Sequence, residues 1–368
     1  MKILIGGDVC PTSNNISDFS SGKIDTFLEK KLLDKWQEAG YRIFNLEVPL
    51  CENISPIKKS GPNLFCSKEC INGIVQLNPN LICLANNHIM DQGIKGFKNT
   101  ISLLSQNNIN YVGVGNNSLE LKKYYILSKD NIKIGIYNCC DTEFTSSTST
   151  FPGANCFDSL SAFDDIKELK KMCKYTIVIF HGGKEYYRYP SPYLQKISHK
   201  LVDSGANLIL YQHTHCIGCY EKYKNSNILY GQGNFIFTDK TDEFWSSGLL
   251  VELEISKEKF DVNYIPIEND GKLINLADKK IMKEFYKRSE EILKDSFVET
   301  MYKEFADSQI LNYLNQCNGK TLIKRVLRKL FGTKRMFNDS DLLNIQNILQ
   351  CDAHRELFLQ ALKNEMEK

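Results

Sequence analysis

The sequence contains no long apolar run and no excess of charge of either sign. No stretch of its 368 residues approaches the ~18 apolar residues that a membrane-spanning helix needs. The 46 basic and 44 acidic residues leave a formal net charge of +2. A balance this even produces no large field of one sign, so the overall charge does not suggest a protein that binds nucleic acid.

The N-terminal segment lacks the features of an export signal. Residues 1–7 form a short apolar run that is followed at once by Asp8, without a charged start, a long apolar middle and a small-residue cleavage site. We therefore expect a cytoplasmic protein. Its thirteen cysteines are then expected to stay reduced, many of them as small buried apolar residues.

Two histidines one residue apart, His213 and His215, follow directly on the apolar segment 208–211. Where a strand ends, the alternation of side chains relaxes, so both imidazoles can approach one point and bind a metal ion. Surface histidines in a polar turn are one alternative. A zinc site with Cys216 and Cys219 is another, although these four ligands lack the two separated halves that structural zinc sites usually have.

Four other apolar segments of strand type end in residues that commonly bind metals, namely Asp8, Glu47, Asn87 and His181. In an open α/β sheet, residues beyond the carboxyl ends of the strands meet at one edge. Six nitrogen and oxygen ligands exceed the needs of one tetrahedral ion, whereas two ions bridged by a carboxylate would use them. The set predicts two divalent ions, and its donors fit manganese, iron or zinc.

Strands and helical patterns alternate over residues 1–270, which predicts an α/β domain with parallel strands covered by helices on both faces. The last two strands, 249–255 and 260–265, alternate as antiparallel edge strands do. From residue 277 to 368 the pattern predicts a helical C-terminal extension. Apolar spacing predicts the other helices over residues 24–39, 67–77, 94–106, 159–173 and 190–203.

The predicted extension contains a strongly basic segment. Residues 320–335 hold seven basic and no acidic side chains, interspersed with apolar ones. This pattern indicates a helix that docks on a membrane surface or a partner protein, or else a packed helix whose solvated face is basic. The only histidine of the extension, His354, is predicted to be a surface residue, so we do not expect the extension to build the metal site.

The polar motifs resemble those of the CapA family of capsule-synthesis proteins, over residues 1–255 and in the same order. The matching motifs are Gly7-Asp8, Asn45-Leu46-Glu47, Asn86-Asn87-His88 with Asp91, His181-Gly182-Gly183 with Glu185, His213 with His215, and residues 230–237. The resemblance implies a fold similar to the calcineurin-like metallophosphoesterases, which is a layered sheet covered by helices. It also implies a role in making poly-γ-glutamate or polysaccharide capsules.

The resemblance further implies a role for each site residue. Asp8 and His215 would hold one ion, Asn87, His181 and His213 the other, and Glu47 would bridge the two. His88 would be a general acid whose tautomer is fixed by Asp91. Glu185 and Asn234 would support the ligands or contact substrate.

Two positions depart from the pattern that the resemblance implies. General metallophosphoesterases carry a histidine where this chain has Cys10, so one ligand is absent or replaced. Tyr211 and Gln212 stand before His213 where the family usually has a glycine and another small or polar residue.

The sequence therefore predicts a metal-dependent hydrolase acting on a phosphoester, or on a polymer-linked or lipid-linked intermediate of capsule synthesis. The alternative is a non-catalytic, metal-stabilised accessory subunit that docks on a membrane capsule synthase through residues 320–335. His88 with Asp91 favours the first function, and the basic segment favours the second.

Overall fold

The computed structural model describes residues 1–238, 240, 242–318 and 338–368. In chain order, its strands are β1 (Lys2–Val9), β2 (Tyr41–Leu46), β3 (Leu50–Cys51), β4 (Cys66–Ser67), β5 (Leu81–Cys83), β6 (Asn110–Val112), β7 (Val114–Gly115), β8 (Tyr124–Lys129), β9 (Ile132–Cys140), β10 (Gly153–Ala154), β11 (Tyr175–His181), β12 (Leu208–Gln212), β13 (Ile217–Tyr223), β14 (Ser226–Gln232), β15 (Asn234–Ile236), β16 (Ser247–Ile255), β17 (Phe260–Asn269) and β18 (Ile274–Leu276). The helices are α1 (Ile16–Ser21), α2 (Lys30–Glu38), α3 (Ile71–Gln76), α4 (Gly93–Gln106), α5 (Ala162–Met172), α6 (Pro192–Ser204), α7 (Lys279–Glu291), α8 (Phe297–Asn318), α9 (Asp339–Gln350) and α10 (Asp352–Glu367).

Two large sheets face each other at the centre of the fold. The first has the order β18-β17-β16-β1-β2-β5-β6, with β15 also paired to β1. The second has the order β13-β14-β12-β11-β9-β8. Strands β1, β2, β5 and β6 are mutually parallel, as are β9, β11, β12 and β14. In the first sheet the parallel strands form one side and the antiparallel strands β16–β18 the other. In the second sheet the middle is parallel, and antiparallel strands β13 and β8 form the two edges.

Alternating side chains explain why the sheets are buried on both faces. In β1, Ile3 and Ile5 pack into the core between the sheets, while Leu4 joins the core beneath the helices α1–α4. In β11, Ile179 points between the sheets and Phe180 joins the core beneath α5 and α6. Because both faces need apolar residues, these strands are nearly continuous apolar runs. The predicted layered α/β fold is confirmed, but the prediction that helices cover both faces is wrong. Helices cover one face of each sheet, because the other face packs against the second sheet.

The predicted helix over residues 24–39 is shorter in the structure. A single 3₁₀ turn spans Ile24–Thr26, and α2 begins only at Lys30. The chain between them is extended, because the Glu29 amide donates a hydrogen bond of 2.9 Å to the carbonyl of Ile274. A contact with a distant strand has therefore replaced one turn of the helix that apolar spacing alone predicts.

The C-terminal helices pack against the two-sheet core. The ring of Tyr187 stacks on Phe305 of α8, with 4.3 Å between the centroids. Ser191 at the start of α6 donates a 2.7 Å hydrogen bond to Glu356 of α10. The basic segment 320–335 lies outside the described residues. In the part of the chain that is described, we find no helix that combines the length and apolarity needed to cross a membrane.

The Gln232 side chain joins the two sheets. Its Nε2 donates to the carbonyls of Ile5 in β1, at 2.8 Å, and of Leu249 in β16, at 3.0 Å. Its Oε1 accepts a 3.0 Å hydrogen bond from Gln212 of the second sheet. All of these groups are fully or almost fully buried.

We expect Gln232→Leu to lower the free energy of unfolding by about 1–3 kcal/mol, because buried carbonyls lose their donor. Urea denaturation would measure the loss. Gln350→Leu, an exposed glutamine at the end of α9, is the control and should change little. Equal urea midpoints of unfolding for the two variants would show that the hydrogen bonds of Gln232 between the sheets do not stabilise the fold.

Candidate metal centre

The six predicted ligands lie together where the parallel strands of both sheets end. Each is less than a tenth exposed to solvent. Two groups of ligand atoms form, and within each group the atoms lie within 4.8 Å of one another. The first group is Glu47, His181 and His213, and the second is Asp8, Glu47 and His215. The sixth predicted ligand, Asn87, has its Oδ1 3.1 Å from His181 Nε2.

The loop after β12 presents its two histidines from an unusual backbone conformation. His213 has φ 84° and His215 has φ 55°, in the left-handed region that side chains with a Cβ rarely adopt. The His213 amide donates a 3.1 Å hydrogen bond to the Asp8 carboxylate. Strain of this kind persists only where surrounding contacts enforce it, and it is concentrated at functional sites.

The Glu47 carboxylate is completely buried, and neither oxygen accepts a hydrogen bond from any residue that the structure describes. The nearest basic atom is His181 Nε2, at 3.3 Å from Oε1. His213 Nδ1 is likewise buried and without a hydrogen-bond partner within the described ranges. Burying a carboxylate without hydrogen bonds is costly. Carboxylate, imidazole and amide donors around an unsatisfied anion therefore fit a divalent metal centre.

The charges of the centre shift the pKa values of its members. Burial raises the pKa of Asp8, but the charges of His181 and His215 and its hydrogen bonds bring it below its usual value. Burial lowers the pKa of His181, yet the carboxylates of Glu47 and Asp8 outweigh burial and raise it to about 10. Burial, followed by the charges of His181 and His215, holds the pKa of His213 well below its usual value. A proton on His181 thus offsets the carboxylates in the metal-free chain.

Asparagine side chains orient the ligands. Asn45 Nδ2 donates a 2.7 Å hydrogen bond to Asp8 Oδ1 and lies 3.2 Å from His181 Nδ1. Asn234 Oδ1 lies 3.0 Å from His215 Nδ1. Contacts of this kind fix the orientation of an imidazole ligand. Glu185, the other predicted supporting residue, is more loosely placed, with Oε1 3.9 Å from His213 Nε2.

His88 and Asp91 form a close pair beside the ligands. His88 Nδ1 lies 2.6 Å from Asp91 Oδ2, and its Nε2 lies 4.0 Å from Glu47 Oε1. Sequence reasoning missed Lys59, whose side chain is only 2% exposed and forms an ion pair with Asp91. Its Nζ also lies 3.2 Å from His88 Nδ1. The neighbouring Lys58 is exposed, so no sequence pattern distinguishes the two lysines.

Three cysteines considered from the sequence lie outside the two ligand groups. Cys216 Sγ donates to the carbonyl of Tyr187 at 3.8 Å, and Cys219 packs in the core beneath α5 and α6. The alternative zinc site with these cysteines is therefore not formed among the described residues. Cys10, which replaces a histidine of general metallophosphoesterases, is buried after β1 and lines the cavity at the centre.

These features define a layered α/β protein with a buried carboxylate and histidine centre at the carboxyl ends of its strands. The model of the family described as bacterial capsule synthesis protein PGA_cap matches residues 2–239. The chain belongs to this family, and the resemblance noted in its motifs is confirmed.

The names of two curated relatives also refer to capsule or PGA biosynthesis. Capsule biosynthesis protein CapA of Bacillus anthracis is 28% identical over 211 residues, covering 55% of this chain and 50% of that protein. PGA biosynthesis protein CapA of Bacillus subtilis is 28% identical over 241 residues, covering 62% of each chain. The chain thus spans about half to three fifths of the length of these relatives.

Solved structures with some likeness include a phosphatase from Mycoplasma pneumoniae, at 16% identity and a TM-score of 0.44, covering 73% of this chain and 95% of that one. A 5'-nucleotidase precursor from Thermus thermophilus aligns at 13% identity and a TM-score of 0.42, covering 78% and 57% of the two chains.

We expect the chelator-treated protein to lose stability as pH rises from about 6.5 towards 10. The folded-state pKa of His181, about 10, exceeds the ordinary value of about 6.5. The stabilisation by protonated His181 is therefore complete below the unfolded-state pKa and is lost as the pH rises through the folded-state pKa. The free energy of unfolding should fall with a slope on the order of 1 kcal/mol per pH unit. Urea denaturation at several pH values would measure this slope.

His181→Gln should remove this part of the slope, whereas His199→Gln, which changes a histidine paired with Glu221 outside the centre, should retain it. An unchanged slope in His181→Gln would show that another group titrates. Metal-loaded protein should also lack this component, because a metal-bound imidazole is neutral.

Proposed function

We propose that this protein is a metal-dependent hydrolase in capsule biosynthesis, acting on a phosphoester or on a polymer-linked or lipid-linked intermediate. The observation that carries the proposal is the Glu47 carboxylate, which is fully buried, unsatisfied among the described residues, and common to both groups of ligand atoms. A carboxylate in this position suits a bridge between two cations.

The residues divide between two ions in a simple way. Asp8 and His215 would hold one, Asn87, His181 and His213 would hold the other, and Glu47 would contact both. Manganese, iron and zinc all suit these donors. When bound, such ions would polarise the scissile group and lower the pKa of a water molecule at the site.

The chain's own residues would supply the proton and the orientation. His88 would donate a proton from Nε2 to the leaving oxygen, while Asp91 accepts from Nδ1 and so fixes the tautomer. Lys59 forms an ion pair with Asp91 and would hold that carboxylate in place. Asn45 and Asn234 would keep the ligand side chains aligned through the contacts described above.

Capsule biosynthesis as the setting is supported by the family description and by the printed names of the two Bacillus relatives. Because the chain spans only part of those relatives, its substrate and partners are proposals. A capsule synthase subunit or a membrane surface, contacted through residues 320–335, remains the proposed partner.

We expect purified protein to contain about two divalent transition ions per chain. Elemental analysis would measure them, and a panel of chromogenic phosphomonoesters and phosphodiesters would measure activity. Chelation should abolish hydrolysis and lower the melting temperature, and added manganese or zinc should restore both. Metal-replete protein that is inactive on the whole panel would contradict the hydrolase and favour the accessory subunit.

We expect His213→Ala and His88→Ala to fail in different ways. His213→Ala should lose metal and activity together. His88→Ala should keep its metal while turnover falls by about 10²–10⁴-fold, the usual contribution of general acid catalysis. A substrate with a better leaving group needs less protonation and should recover part of that loss.

Metal content and kcat, measured on both variants, would separate the two roles, with His199→Ala as the control for the loss of an imidazole away from the centre. Equal loss of metal in His88→Ala and His213→Ala would exclude the acid role given to His88.

A further inference from the structure

A cavity of about 760 Å³ opens onto the candidate metal centre, and two parts of the chain line it. The centre contributes Asn87, His88 and His215. The C-terminal helices contribute a second wall, formed by Gln316, Asn344, Asn347, Ile348 and His354. The described residues of the extension add no member to the two ligand groups, but they form part of the space in front of them.

The second wall is held firmly against the core. Ser60, in the loop that also carries Lys59, donates a 2.7 Å hydrogen bond to Asn344 Oδ1. The stack of Tyr187 on Phe305 anchors α8, and α8 packs against α10. The family match ends at residue 239, so this wall is built from residues beyond the matched region.

The described residues of the second wall carry no charge. Two asparagines and a glutamine supply its polar groups, and Ile348 is apolar. His354, predicted to lie on the surface, is half-buried with Nδ1 2.9 Å from Tyr313 Oη. Burial and then the charge of Lys184 lower the pKa of His354 to about 3. The imidazole is therefore neutral at physiological pH.

One atom of this wall lacks a partner. Asn347 Oδ1 is buried and accepts no hydrogen bond from any described residue. A buried acceptor left unsatisfied costs free energy that a ligand donor would recover. Asn347 thus indicates a ligand group that donates a hydrogen bond, and neighbouring carboxamides can both donate and accept.

Charges elsewhere in the cavity narrow the choice of ligand. Lys59 is engaged by Asp91, and Lys240 lies over the ring of Trp245, 4.6 Å from its centroid. Glu143 and Glu185 add carboxylates to the lining. A polyanionic chain would meet these carboxylates and an uncharged wall. A neutral, hydroxylated group would find donors and acceptors there.

We propose that Asn347, with Asn344 and Gln316, forms a subsite for the hydroxyl groups of a glycosyl unit attached to the substrate phosphate. The proposal rests on the proposed hydrolase function, which places the phosphate at the metal centre. The C-terminal helices would then determine specificity, while the family-matched core carries out the reaction.

The test compares a panel of glycosyl phosphates, such as glucose 1-phosphate and N-acetylglucosamine 1-phosphate, with p-nitrophenyl phosphate. Asn347→Leu should raise KM for the preferred glycosyl phosphate about tenfold, the effect of losing one buried hydrogen bond, with kcat unchanged. KM and kcat for p-nitrophenyl phosphate should stay the same.

Gln346→Leu is the matched control, because it removes an exposed carboxamide of the same helix that does not line the cavity. If Asn347→Leu changes KM equally for the glycosyl phosphate and p-nitrophenyl phosphate, or for neither, the proposed subsite is wrong, whereas the proposed hydrolase function is not contradicted.

If nothing in the panel is hydrolysed, the hydrolase is wrong, and calorimetric binding of the glycosyl phosphates to metal-loaded protein decides the subsite. Weaker binding by Asn347→Leu than by Gln346→Leu would support it. Equal binding, or no binding by the unsubstituted protein, would overturn it.

Discussion

The buried carboxylate of Glu47 is the constraint on which the rest of the site depends. It lies at the end of β2 in the first sheet, yet its nearest basic atom belongs to His181 at the end of β11 in the second. A buried anion without hydrogen bonds needs a cationic partner, and here the nearest one comes from the other sheet. The position of one sheet relative to the other is therefore part of the candidate centre, and the hydrogen bonds of Gln232 between the sheets support the centre as well as the fold.

A metal ion and a proton would compete for the His181 imidazole. In the metal-free chain, a proton on His181 offsets part of the negative charge of Glu47 and Asp8. A bound ion would have to displace that proton, so the proposed metal affinity and the folding stability would both depend on pH. In the metal-free chain, the Asp8 carboxylate accepts a hydrogen bond from the His213 amide and so helps to hold the strained backbone at His213 and His215.

The proposed reaction and the proposed selection of substrate use different parts of the chain. The six candidate ligands, His88 and Asp91 lie within the family-matched region, residues 2–239. The opposite wall of the cavity, including Asn347, comes from helices beyond it. If the proposed subsite is correct, the described part of this wall, which carries no charge, would distinguish substrates by their hydroxyl groups without changing the charges at the candidate metal centre.

The sequence by itself determined the candidate ligands and the alternation of strands and helices, because apolar runs ending in Asp8, Glu47 and His181 already place those side chains at the carboxyl ends of parallel strands. It could not determine that the strands divide into two facing sheets, since strands buried on both faces look alike in either arrangement. Nor could it place Lys59 beside Asp91 or Asn347 in the cavity wall. Those contacts join segments that no local pattern connects, and only the packing of the whole chain brings them together.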